Sequence, residues 1–281
     1  MNSITTSKAT DFKHQTSSQL SSVNIRAEFD NLLRLQNQNR YYNPKINFRD
    51  VRKKTISTKI LKICKCLEYK KETFYQAIAL YDAFTSLYST KSDINEHVFI
   101  VCLSLVAKLH ERSRVSFDNN AFMTIQKVSN AKLFAKIEKN VLGVFNFNIN
   151  VVTSFDFLQL FMRIPSTFTD KGMTSYDCSK SLDLENLLKK LNYLSVISYK
   201  SNKFSPLAIS CSILLIARDT LKFNEKWPLD IAMLTGLNQT DLQECTMFLI
   251  HLFDKFQFSD GKMSTASVQT SASFASLSQD L

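Results

Sequence analysis

The chain has 281 residues, enough for one large domain or two modest ones. Only four Gly and four Pro punctuate it, against 22 Phe. That scarcity disfavours barrels, sandwiches and Gly-rich nucleotide loops and points to long apolar-periodic helices, an all-α protein. The formal net charge of +10 is uneven, since between Lys45 and Lys71 ten basic residues accompany only Asp50 and Glu68. A field of that sign attracts phosphate, nucleic acid or an acidic protein face, although such a run is as a rule solvated helix surface. The longest apolar runs, Val98–Ala107 and Cys211–Ala217, fall far short of the ~20 residues of a membrane helix. The first residues lack the apolar region of a signal peptide, and the six Cys follow no repeating spacing. These features predict an intracellular protein, nuclear and/or cytoplasmic, with reduced thiols and no membrane partner.

Residues 1–24, rich in Ser, Thr, Asn and Gln, bury too little to offset their ordering entropy and predict a disordered tail. Residues 25–47 comprise a short helix from Glu28 to Gln38, with Phe29, Leu32, Leu33 and Leu35 on one stripe, and a connector. A first bundle is expected over 48–165. Ile56, Ile60, Ile63 and Leu67 recur at i, i+4, i+7 and i+11, and Phe74, Ala77, Ile78, Tyr81 and Phe84 form the next stripe. Val98–Ala107 is apolar nearly all round and reads as a central helix. Leu133, Phe134, Ile137, Val141, Leu142 and Phe145 form another face. Thr153 with Asp156 resembles a capping box opening a helix through Ile164, which Pro165 ends. Residues 166–181 are polar and read as a linker.

A second bundle is expected over 182–257. Leu184, Leu187, Leu188, Leu191 and Leu194 make its first stripe. Pro206 opens a run to Leu221, at the one helical position where its missing N–H costs nothing. Pro228 opens a short helix that Gly236 closes. Asp241 to Phe256 is the last helix, with Leu242, Cys245, Leu249 and Phe253 inward. Residues 258–281 form a second tail, Ser/Thr-rich and expected to be disordered. The reading is two consecutive bundles of about five helices each.

Enzyme signals are missing: the sequence has no phosphate-binding Gly-rich loop, no Gly-x-Ser-x-Gly and no His-Glu-x-x-His. Cys64-x-Cys66 lacks a second ligand pair at zinc spacing and reads as helix, so neither metal nor cofactor is expected.

Several separated segments resemble the cyclin family. Glu72-Thr73-Phe74 with Asp82 ten residues after the Glu, Leu105-Val106-Ala107-Lys108-Leu109-His110-Glu111, and Thr153-Ser154-Phe155-Asp156-Phe157-Leu158 match first-box landmarks in order. Glu138 stands thirty residues beyond Lys108, and Phe147 nine beyond Glu138. Leu194-Ser195-Val196, Lys203-Phe204-Ser205-Pro206, Trp227-Pro228 and Thr235-Gly236 match the second box. The resemblance covers roughly residues 26–257, closest in kind to A/B-type cell-cycle cyclins, and implies two five-helix cyclin boxes in a non-catalytic regulatory subunit. Its implied partners are a cyclin-dependent protein kinase, in a 1:1 heterodimer, and the protein substrates of that kinase.

Carried over by position, Lys108 and Glu138 would reach the kinase backbone. Leu109, Leu142, Phe147 and Ile149 would form an apolar pocket beside them, and Phe29, Leu32 and Leu33 would add a contact from the N-terminal helix. Against this, Lys108–Glu138 is also readable as an ordinary surface ion pair, and Phe147 and Ile149 as core. Asp82 would be structural, pairing with Lys53 or Arg52. The first helix departs from the family pattern. Arg52-Lys53-Lys54-Thr55-Ile56 stands where the family has Met-Arg-x-Ile-Leu, with Lys59 in place of Trp. Arg52, Lys53, Ile56 and Lys59 therefore become a candidate site for docking an acidic or phosphorylated motif. The alternative reading is a cyclin-fold transcription factor that binds nucleic acid through this basic helix. The retained kinase-contact positions, and the lack of aromatics beside the lysines, weigh against it.

Overall fold

The computed structural model describes residues 24–38, 50–88, 95–111, 131–170 and 178–263. The expectations for 1–23, for the connector 39–49, for 171–177 and for 264–281 lie outside these residues, as does the side chain of Arg52. The described residues are helical, with no strand among them. The helices are α1 (24–38), α2 (Asp50–Cys66), α3 (Lys71–Leu87), α4 (Asn95–His110), α5 (Ala131–Val144), α6 (Ser154–Phe161), α7 (Cys178–Ile197), α8 (Pro206–Thr220), α9 (Leu229–Thr235) and α10 (Gln243–Met263). Short 3₁₀ turns follow α6 at Pro165–Thr167 and α7 at Tyr199–Lys203.

Two cores form around the two helices that are apolar on nearly every face. In α4 every residue from Val98 to Ala107 is buried, and α2, α3 and α5 cover it. In α8 every residue from Ile209 to Arg218 is buried beneath α6, α7 and α10. Such all-round apolarity leaves a helix nowhere to go but the centre of a bundle.

The cores meet across α6 and α7. Phe155 stacks on Tyr75 of the first core at 4.5 Å, whereas Phe157 packs on Phe29 in the second at 6.0 Å. Likewise Leu184, Leu188 and Leu191 of α7 enter the second core, and Tyr193, Leu194 and Ile197 the first. Polar bonds cross the same seam. Ser154 Oγ lies 2.6 Å from Asn192 Oδ1, and Ser210 Oγ donates to the Ser154 carbonyl. Lys53 of α2 is buried, with Nζ 2.6 Å from Asp82 Oδ2 on α3 and 3.1 Å from Asn202 Oδ1 beyond α7.

Local signals explain most helix ends. The capping box forms at Thr153, whose N–H and hydroxyl both donate to Asp156 Oδ2 at 2.7 and 2.8 Å. Burial raises the Asp156 carboxyl above the usual carboxylate range, opposed by these bonds. Ser205 caps α8 by accepting the Ala208 N–H, ahead of Pro206. Gly236 closes α9 at φ 68°. Trp227 Nε1 donates to the Leu237 carbonyl and holds the turn that follows.

Three expected boundaries shift. The helix expected through Ile164 stops at Phe161, because Pro165 holds Ile164 extended at φ −92°, ψ 119°. The stretch expected to be a linker from 166 is built structure as far as Asp170, and α7 already begins at Cys178. Helix α10 runs on to Met263, so residues 258–263 are helix where a tail was expected. Ser259, Asp260 and Gly261 are poor helix formers, yet extending a packed helix needs no new nucleus.

The built part of the linker serves one side chain. Arg218 of α8 is fully buried. Its guanidinium donates to the carbonyls of Thr167 (2.6 Å), Ser166 (3.0 Å) and Glu225 (2.7 and 2.9 Å), reaches Asp170 Oδ1 at 3.2 Å, and lies over the Phe223 ring at 4.2 Å. Asp170 in turn accepts the N–H groups of Asn224 and Glu225. Cys64, Cys66, Cys102, Cys211 and Cys245 are free thiols, and all of these but Cys66 are buried. Burial pushes Cys64 up to about 12 and Cys245 up to about 11.

With four glycines available, most left-handed helix ends use other residues. Glu68 (φ 53°), Asn146 (φ 49°) and Lys222 (φ 56°) each close a helix through paired bonds such as Phe223 N–H to Arg218 O and Lys222 N–H to Asp219 O. Lys222→Gly should therefore raise the unfolding free energy by roughly 0.5–1 kcal/mol in urea melts. Arg218→Met should lower it by about 3–5 kcal/mol, because it strands Asp170 and several carbonyls in the interior.

Candidate functional site

The end of α4 and the end of α5 build one face. Helix α4 places Lys108 and His110 in its last turn, where the helix dipole favours the lysine charge. Its continuation holds α3. Glu111 Oε1 accepts the Lys70 N–H at 2.9 Å and the Thr73 hydroxyl, and Lys70 Nζ donates to the His110 carbonyl. His110 Nε2 lies 2.6 Å from Gln76 Oε1. The position before α3 is Lys70, which has no side-chain cap of its own, and the missing local cap was the sequence signal that something distant had to supply one. Glu111 was read only as part of a motif.

Lys108 Nζ donates to Glu138 Oε1 at 2.6 Å, bringing together residues thirty apart in the chain. Their side chains are 39% and 24% exposed, so the pair contributes about 1 kcal/mol or less to stability. Leu109, next to Lys108, is 55% exposed, and Leu142, one turn beyond Glu138, is half-buried.

Helix α5 ends in a turn that displays an aromatic. Asn146 N–H donates to the Gly143 carbonyl and Phe147 N–H to that of Leu142 at 2.8 Å. Asn146 tolerates its left-handed conformation, but Phe147 follows at φ 63°, an uncommon region for a bulky residue. The residue is 74% exposed. A bulky side chain held in a costly backbone conformation and exposed to solvent is a candidate functional position.

The other expected contacts lie elsewhere. Ile149 is buried in the first core, so it lines no open pocket. Phe29 is buried against Phe157, and Leu32 and Leu33 pack on the second core; the N-terminal helix spends this stripe within the chain, and Gln36 of the same helix accepts the Leu207 N–H at the start of α8. Of the described side chains in the proposed docking set, Ile56 and Lys53 are buried and Lys59 is exposed. A separate cleft of about 160 Å³ lies at the seam, lined by Lys53, Asp82, Asn202, Tyr75 and Phe204, and shares no residue with the Lys108 face. Among the described residues no cluster of His, Cys, Asp or Glu could hold a metal ion, and no helix is long and apolar enough to cross a membrane.

Two successive helical bundles, the first carrying an ion pair beside an exposed aromatic, define the class of fold to which the chain belongs. The family model described as cyclin, N-terminal domain matches residues 26–150, and that described as cyclin, C-terminal domain matches residues 152–277. The chain belongs to the cyclin family. Relatives include a putative cyclin-A3-1 of Arabidopsis thaliana, 24% identical over 66% of this chain and 51% of that protein, and cyclin-A3-3 of the same plant, 24% identical over 69% and 57%. The chain thus spans about half the length of the curated relatives it matches. A viral cyclin from herpesvirus saimiri shares the fold with TM-score 0.56 and 13% identity, over 74% of this chain and 86% of that one.

Because Phe147 is strained and little buried, Phe147→Gly should leave the unfolding free energy unchanged or raise it by up to about 1 kcal/mol in denaturant titration.

Proposed function

We propose that the chain is the non-catalytic regulatory subunit of a cyclin-dependent Ser/Thr protein kinase, bound 1:1 and acting in cell-cycle control in the nucleus and/or cytoplasm. The observation that carries this is the face where the Lys108–Glu138 pair sits beside exposed Leu109 and Phe147. Membership of the cyclin family supports it, with relatives named as A-type and B-type cyclins.

Lys108 and Glu138 offer a donor and an acceptor to backbone groups of a kinase helix, already oriented by their mutual bond. Leu109, Leu142 and Phe147 offer apolar area around them, and Phe147 is the aromatic anchor of the kind that dominates interfaces. Binding of this sort selects the kinase conformation in which the regulatory-helix Glu pairs with the ATP-binding Lys. The cyclin itself transfers no group.

Tagged chain purified from its own cells should bring down a kinase active on a Ser/Thr substrate. Lys108→Ala and Glu138→Ala should each reduce recovery at least tenfold without shifting the thermal midpoint by more than ~2 °C, since the pair contributes little to folding. Undiminished recovery with both variants would refute the assignment of this face.

A further inference from the structure

Helix α2 presents a second surface, away from the Lys108 face. Ile56, Ile60, Ile63 and Cys64 enter the first core and Lys53 turns in to Asp82. Lys54, Lys59, Lys62 and Lys65 are left exposed. Beyond Asp50 the helix has no carboxylate, so the i,i+4 ion pairs that clothe an ordinary solvated face cannot form within it. From Lys54 to Lys65 the row spans about 16 Å at 1.5 Å per residue. Neighbouring helices extend it at the Lys54 end. Lys54 Nζ lies 5.1 Å over the Phe256 ring of α10, Lys190 of α7 lies 5.6 Å over Phe253, and Lys255 between those rings is exposed.

We infer that this row docks an acidic, Asp/Glu-rich segment of another protein. Charge complementarity selects the sign of the partner. The four basic residues of the row are lysines, whose rotatable point charges suit anionic groups in varied orientations along a flexible segment. The rings under Lys54 and Lys190, which α10 brings beside lysines that have no aromatic next to them in sequence, restrain those side chains and reduce the entropy lost on binding. Width selects an extended chain. The row is one helix across, with exposed Glu68 just past its C-terminal end and exposed Asp254 beside Phe253. A peptide at about 3.3 Å per residue covers 16 Å with about five residues and stays on the lysines. Duplex nucleic acid, with a charge about every 1.7 Å across a broad face, would meet those carboxylates.

The test uses the full chain and a fluorescein-labelled ten-residue peptide of Asp and Glu, read by anisotropy. Its Asn/Gln counterpart, a duplex DNA and phosphatidylserine vesicles serve as competing probes. The acidic peptide should bind, weaken as salt rises, and lose at least tenfold in affinity with the Lys59→Glu/Lys62→Glu double variant. Lys132→Glu/Lys136→Glu, an equal charge change at exposed positions of α5, should leave it unchanged, and Lys59→Glu/Lys62→Glu should still recover the kinase. Equal binding of the neutral peptide, equal loss with the α5 variant, or tighter binding of duplex DNA or vesicles would overturn the inference. Thermal midpoints identify any variant that fails to fold, and the comparison of the two peptides on the unaltered chain decides the question without it.

Discussion

A lysine nitrogen inside a protein must be paired, and at Lys53 that requirement ties three parts of the chain together. Its ammonium meets Asp82 at 2.6 Å and Asn202 at 3.1 Å, and Asn202 also donates to Asp82. Leaving either charge alone in the interior would cost several kcal/mol, so α2, α3 and the turn after α7 are constrained to meet. Two of these elements belong to the first bundle and one to the second. The pair therefore sets the register between bundles as well as closing the first. Stacking of Tyr75 on Phe155 and the polar bonds around Ser154 act across the same seam.

The candidate kinase-binding face depends on that framework without contributing much to it. With α3 fixed by Lys53, the Glu111 cap ties the start of α3 to the end of α4, the turn that carries Lys108. The face itself is an exposed ion pair, an exposed Leu and an aromatic on a strained turn. Burial energy lies instead in the apolar residues of the two central helices and the cores around them. This separation lets the candidate surface be unfavourable locally while the bundles remain stable.

The two charged features of α2 follow from one helical period. Lys53 shares the inward face with Ile56, Ile60 and Ile63, where only a partner such as Asp82 makes a charge tolerable. Lys54, Lys59, Lys62 and Lys65 fall outward, where a lysine keeps its hydration. Residues adjacent in sequence and identical in chemistry thus have different work.

By itself the sequence determined the helices, their order and most of their ends. Apolar recurrence at 3.6 residues, Pro206 at a helix start, Gly236 at a left-handed end and the Thr153–Asp156 box are local signals, and local physics reads them. The family resemblance added Lys108 and Glu138 as two members of one contact site and either Lys53 or Arg52 as the partner of Asp82; the structure pairs Lys108 with Glu138 and Lys53 with Asp82. What only the tertiary structure decided is which way apolar residues on shared stripes face. Phe29 and Ile149 look like Leu109 and Phe147 in sequence, yet the first two fill cores and the last two face solvent. Hydrophobicity states that a side chain favours burial but not which surface will bury it, its own chain's or a partner's. The backbone at Phe147 made that choice, through a helix end whose hydrogen bonds turn the ring outward.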